Sequence, residues 1–318
     1  MKRVLALLWL LLAVPGAAKS YYVAGSGGVP LAVTEAGASD GPEILFLHGL
    51  GQGKESFVPQ LEADVLKGHR MVAFDLRGHG MSGKPWRQED YADPAVWAGD
   101  VKAVMQAAGL KKPVIVAWSY GALVAADYVR VFGTGEIAGL VLISSLGGLV
   151  AAPPPSPEMV FPPELVRARE MVAVPALGAQ ADYGRVVVPM LAGAGVSPDW
   201  LERAAKLALM VPAYAQPLLR AHGGDNADLL ARIGVPLLFV HGGYEASFSQ
   251  ATVDTLLARS SCARVSGYAG QGHAPFAELP RRFNAELVAF VAGGFAGCVQ
   301  WEEERHRQGA RRHRKSAG

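Results

Sequence analysis

The apolar run Pro113-Val114-Ile115-Val116 leads without a break into Ala117-Trp118-Ser119-Tyr120-Gly121, and a helix-like segment from Ala122 to Val131 follows at once. No other stretch limits the fold so tightly. It reads as a buried strand, a sharp turn with a serine at its tip, and a helix, a context that lifts a serine between small residues to a nucleophile candidate. A strained elbow brings strand and helix close together, so the positions two before and two after the tip must be small. Ala117 and Gly121 meet that condition.

The same reading extends along the chain. Tyr21 to Gly37 alternates with glycines and reads as a β-hairpin. Glu43 to His48, Arg70 to Asp75, Leu140 to Ser144, Pro236 to His241 and Ala263 to Tyr268 are further apolar strands. Pro94 to Ala108 and Pro280 to Phe295 read as helices. Strands that are apolar on both faces and alternate with helices predict an α/β fold, a parallel sheet covered by helices. The interval between Leu146 and Ile233 breaks this rhythm. It opens with Pro153, Pro154, Pro155 and Pro157 and continues in Ala/Leu/Met-rich helical segments. Such a length is too great for a simple connection, and it reads as an inserted helical cap. The expected organisation is a signal peptide over 1–20, a core over 21–146 and 233–298, a cap over 147–232 and a basic, disordered tail over 299–318.

Hydrophobic residues make up 51% of the 318 and charged ones 18%, which excludes disorder as the main state. A net charge of +2 gives no reason to expect a nucleic-acid partner. The expected partner is a small-molecule substrate, and composition assigns no oligomeric state. Lys2-Arg3, the apolar stretch Val4 to Val14 and Gly16-Ala17-Ala18 form the pattern of a secretory signal cleaved near Ala18. Its apolar core falls short of the roughly 20 residues of a spanning helix. Export to the periplasm or the medium is therefore expected, with no membrane span after cleavage. The tail carries Arg305, Arg307, Arg311, Arg312, Arg314 and Lys315 without apolar periodicity, as a solvated end does.

A serine hydroxyl needs a base to take its proton and an acid to orient that base. In a strand-elbow architecture the chain order is nucleophile, acid, histidine. Of eight histidines, His273 lies in Gly270-Gln271-Gly272-His273-Ala274-Pro275-Phe276, after the last strand and before the terminal helix. A loop at the carboxyl end of a strand is where sites form in such sheets. His48 also ends a strand but its neighbours suit another role, and His69 and His222 have no such placement. Glu245 follows the strand Pro236 to His241 and falls where the acid belongs; Asp254, Asp225 and Asp228 are the alternatives. The tetrahedral intermediate needs two backbone donors, which the amides of Leu50 and Tyr120 are placed to supply. No metal or organic cofactor is implied.

With these residues in place the chain resembles the α/β-hydrolase superfamily from Tyr21 to about Phe295. Four blocks carry the likeness: His48-Gly49, Asp75-Leu76-Arg77-Gly78-His79-Gly80-Met81-Ser82, Ala117-Trp118-Ser119-Tyr120-Gly121 and Gly272-His273-Ala274-Pro275-Phe276. The resemblance implies a mostly parallel, doubly wound sheet of about eight strands with an inserted cap. It also implies Ser119 as nucleophile, Glu245 as acid and His273 as base. Two departures stand out: Ala117 replaces the first glycine of the elbow, and Glu245 stands where aspartate is usual. Serine at the elbow speaks against the epoxide hydrolase and haloalkane dehalogenase branches. By the family topology Cys262 and Cys298 would both lie at the end of the sheet away from the site, where a bridge would contribute roughly 3–4 kcal/mol. The expected activity is hydrolysis of a small, hydrophobic ester, thioester or lactone. Perhydrolase or haloperoxidase-like action and C–C bond hydrolysis are alternatives with the same triad, and a non-catalytic binding protein on this scaffold is a third.

Overall fold

A computed structural model of the chain describes residues 18–151, 195–243 and 248–293, with shorter pieces between 163 and 193. Eight strands form one sheet: β1 (Lys19–Ala24), β2 (Pro30–Gly37), β3 (Glu43–Leu47), β4 (Arg70–Phe74), β5 (Val114–Trp118), β6 (Gly139–Ile143), β7 (Leu237–Gly242) and β8 (Ala263–Tyr268). Their order is β1-β2-β4-β3-β5-β6-β7-β8. The hairpin β1–β2 joins the sheet antiparallel, and every other pairing, from β4 through β8, is parallel. The expected α/β sheet is present. Its strand ends differ from the expected ones by a residue or so, because ladder pairing and not hydrophobicity sets where a strand stops.

Alternation along each strand feeds two cores. Leu45 and Leu47, Val72 and Phe74, Ile115 and Ala117 face one layer. It is closed by Trp97, Val101 and Val104 of α1 (Pro94–Ala108) and by Val124 and Tyr128 of α2 (Tyr120–Phe132). Ile44 and Phe46, Met71 and Ala73, Val114 and Val116 face the other, with Trp200 of α3 (Pro198–Leu209) and Phe283, Leu287 and Phe290 of the last helix. Further helices among the described residues include α4 (Ala215–Ala221), α5 (Gln250–Arg259) and α6 (Pro280–Gly293), with one-turn helices at Val58–Leu61, Glu89–Ala92 and Pro275–Glu278. Local chemistry sets their ends. The Asp93 carboxylate accepts the Ala95 N–H at 2.8 Å, Pro94 opens α1, and Gly109 closes it at φ 66°.

The cluster Asp75 to Ser82 serves as scaffold at the carboxyl end of β4. Arg77 is buried and forms a two-pronged ion pair with Asp100 of α1, both contacts at 2.7 Å. Its remaining donors reach the carbonyls of Asp90 and Ser26. Asp75 is fully buried and accepts the Lys54 amide at 2.8 Å, the Lys54 ammonium at 2.9 Å and the Met81 amide at 2.9 Å. Burial alone would raise its pKa; Lys54 and His48 outweigh that and hold it below the usual carboxylate range. His48 accepts the Leu76 N–H on Nε2 at 2.9 Å, so Nδ1 carries the proton and donates to the Gly49 carbonyl at 2.8 Å. His79 Nδ1 likewise donates to the Arg77 carbonyl at 2.9 Å. Burial, then the neighbouring His48, push the His79 pKa down to about 3.

These groups generate two expectations. Asp100→Ala strands a buried guanidinium and should cost about 3–5 kcal/mol of unfolding free energy, read from the denaturant midpoint. His79 has a folded pKa below its unfolded value near 6.5, so the unfolded chain binds its proton first. Its contribution is complete above about pH 6.5 and is lost as pH falls towards 3, at about 1.4 kcal/mol per pH unit. His79→Asn, which can keep the bond to Arg77, should flatten the acid slope of stability by that amount in urea titrations.

Candidate active site

The strand β5 ends at Trp118 and α2 begins at Tyr120, leaving Ser119 alone to turn the chain. It does so at φ 52° and ψ −110°, a strained conformation for a residue with a side chain. Such strain costs on the order of 1–3 kcal/mol and persists only where the surroundings enforce it. Here the Ser119 amide donates to the Ile143 carbonyl at 2.8 Å, and a side chain at Gly121 would collide with the Leu47 carbonyl oxygen. The helix therefore starts two residues earlier than the apolar periodicity suggests, since the turn itself consumes a single residue.

His273 meets the serine from the far end of the chain. Its Nε2 lies 2.9 Å from Ser119 Oγ. The Trp118 indole donates to the His273 carbonyl at 2.8 Å, so the residue before the serine also fixes the backbone of the histidine. On the other side of the loop, Gly272 and Ala274 donate their amides to the buried carboxylate of Glu278. Gln60 then holds the Phe276 carbonyl at 2.9 Å and Asn284 Oδ1 at 2.9 Å. No pattern in the sequence marks Trp118 or Glu278 for these roles. The available signal is a lone acidic residue, Glu278, directly after the apolar run Ala274-Pro275-Phe276-Ala277 that follows the histidine.

The turn after β3 lies against the elbow. A Cβ on Gly49 would sit 3.3 Å from Ser119 Cβ, and the Gln52 amide closes the turn onto the Gly49 carbonyl at 3.1 Å. Leu50 thus occupies a tight turn beside the serine, with Gly51 at φ 70°. Tyr120 is the first residue of α2, whose leading amides have no partners within the helix. The Tyr120 ring is buried against Trp97, His79 and His222, and its hydroxyl donates to the Leu219 carbonyl at 3.1 Å. Burial raises its pKa. His222, which carries no signal in the sequence, forms a buried pair with Asp127 of α2 at 2.6 Å and stacks on Trp97.

The acidic residues are distributed as follows. Glu245 lies outside the described residues. Asp254 is exposed on α5 and accepts from Gln250 at 2.8 Å. Asp225 and Asp228 belong to a surface network around Arg130, which pairs with Asp228 at 2.8 Å and donates to the Asp225 carbonyl at 3.1 Å. Cys262 is buried and disulfide-bonded, and Cys298 lies outside the described residues. Residues 1–17 and 294–318, which carry the expected signal and tail, also lie outside them. Among the described residues no helix is long and apolar enough to cross a membrane.

Comparison with known proteins agrees with this geometry. A family model described as the alpha/beta hydrolase family matches residues 44–286. The non-heme haloperoxidase of Rhodococcus erythropolis is 27% identical over 278 residues, covering 85% of this chain and 98% of that protein. The bifunctional esterase/perhydrolase DCH of Acinetobacter calcoaceticus is 33% identical over 137 residues, 43% of this chain and 49% of its own. Among solved structures, a Burkholderia cenocepacia protein described as a "putative aryl esterase" superposes with a TM-score of 0.77 at 31% identity, covering 87% of this chain and 99% of that one. With the sheet order, the serine elbow and a family match that runs from β3 to α6, the chain belongs to the α/β-hydrolase family.

Proposed function

We propose that the protein is an exported serine hydrolase that cleaves a small, hydrophobic carboxylic ester, thioester or lactone through an acyl-enzyme. The observation that carries this reading is the 2.9 Å contact between Ser119 Oγ and His273 Nε2 at a strand-to-helix elbow. The chemistry follows from those two atoms. His273 Nε2 takes the Ser119 proton as Oγ bonds to the acyl carbon. The Leu50 and Tyr120 amides receive the negative charge on the carbonyl oxygen, where each such donor is worth roughly 2.7–4 kcal/mol to the transition state. Collapse breaks the bond to the alcohol, which leaves with the proton from His273. Water then repeats the sequence and releases the acid. Glu245 is assigned the orienting role at Nδ1.

The segment from Leu146 to Ile233 is assigned the role of a cap over the site, a reading supported by its contacts with the core near the elbow. Trp200 of α3 donates to the Ser56 carbonyl at 2.8 Å and packs near Trp118, with ring centroids 6.1 Å apart. Tyr214 donates to the Lys84 carbonyl at 2.7 Å and stacks on Trp86. The apolar composition of the segment favours an apolar acyl or alcohol group. A second reading is favoured by the similarity to a bifunctional esterase/perhydrolase and to haloperoxidases. In it hydrogen peroxide replaces water in the second half-reaction, and the acyl-enzyme yields a peracid.

Ser119→Ala and His273→Ala are each expected to lose about 10⁴-fold or more of kcat on a short p-nitrophenyl ester. Undiminished turnover by Ser119→Ala would remove the assignment. For the acid, Glu245→Gln should lower kcat while Asp254→Asn leaves it unchanged; full activity in the first variant moves the role to another carboxylate.

A further inference from the structure

The loop that carries His273 is held by a carboxylate that the hydrolytic steps do not use. Glu278 is buried, at 3% exposure, and faces back along its helical turn into the loop. It accepts the Gly272 amide on both oxygens, at 3.0 and 2.8 Å, and the Ala274 amide at 3.2 Å. Those two amides flank His273 on either side. Burying a carboxylate is costly unless its oxygens are satisfied, and here the satisfying donors belong to the backbone of the base itself. The inserted segment completes the seat. Gly193 approaches so closely that a Cβ there would collide with Glu278 Oε2 and lie 2.8 Å from the Gly272 nitrogen.

We propose that Glu278 is the positioning residue for His273: by clasping the amides on both sides of the base, and being seated by Gly193, it sets where Nε2 stands relative to Ser119. Trp118 fixes the His273 carbonyl, and Ser119 meets the ring. Glu278 holds the peptide plane after His273 from its N–H side, opposite the Trp118 bond, and adds a hold on the plane that ends in the Gly272 N–H. Because Gly193 belongs to the inserted segment, the same contact makes the base sensitive to how that segment packs. The proposal rests on the reading of Ser119 and His273 as nucleophile and base.

The test compares kcat and KM of variants on p-nitrophenyl acetate, normalised to folded protein. Glu278→Gln keeps the shape but sets an NH₂ group against the Gly272 N–H, donor against donor. Displacement of a reacting group by an ångström costs on the order of 10²-fold, so kcat should fall about 10- to 100-fold with KM within about twofold. Gly193→Ala, on a different segment and with the carboxylate intact, should move kcat in the same direction. In a Glu278→Ala background the collision with the carboxylate is gone and only the 2.8 Å approach to the Gly272 nitrogen remains, so Gly193→Ala should lower kcat by a clearly smaller factor than in the wild type. Unchanged kcat in Glu278→Gln, or an equal effect of Gly193→Ala in both backgrounds, would overturn the proposal. Should the Glu278→Ala background fail to fold, Glu278→Gln decides by itself: lowered kcat at constant KM supports the assignment and unchanged kcat refutes it. Wild-type protein that neither hydrolyses the ester nor reacts with a fluorophosphonate would remove the underlying triad and this proposal together. Reactive wild type with an unimpaired Glu278→Gln removes this proposal alone.

Discussion

Close approach of backbones, made possible by missing side chains, is the constraint on which the site depends. At Gly121 the first turn of α2 passes so near the end of β3 that a Cβ would strike the Leu47 carbonyl oxygen. At Gly49 the turn after β3 packs against Ser119 itself. Together these contacts force Ser119 into its left-handed conformation and set the Leu50 turn beside it. The parallel ladder supplies the rigidity: β3, β5 and β6 are central strands, and the Ser119 amide extends the β5–β6 pairing by one bond. Strain at one residue is thus offset by packing across three strands.

The opposite half of the site obeys a different logic. His273 stands on a loop with no ladder to hold it, so side chains take over. Trp118 holds its carbonyl, Glu278 its flanking amides and Gln60 the chain just beyond. A similar substitution operates at the turn after β4, where Asp75 staples Lys54 and Met81, and His48 clamps Leu76. Both histidines of that region are buried with pKa values pushed down, which ties the scaffold to neutral pH.

What was legible in the sequence is what depends on periodicity and on chain order. The apolar runs at 43–47, 70–74, 114–118 and 139–143 became central strands because each feeds two cores at once. The elbow was readable because it needs small residues at fixed offsets, and His273 because it follows the last strand. Glu278, Trp118 and the Asp127–His222 pair were not readable. Their roles arise from contacts between segments 95 or more residues apart, or from a bond to a neighbour's main chain, and neither leaves a periodic trace. The start of α2 is hidden for a similar reason: the apolar pattern begins at Ala122, whereas the helix begins at Tyr120, directly after the turn at Ser119.

The central claim is covalent: an acyl or phosphoryl group should attach to one oxygen, Ser119 Oγ. Intact-mass measurement after reaction with a fluorophosphonate, followed by peptide mapping, tests this most directly. The account predicts a single adduct per chain on the peptide that contains Ser119, absent when His273 is replaced by alanine. An adduct on another residue, or one that forms at full rate without His273, would contradict it.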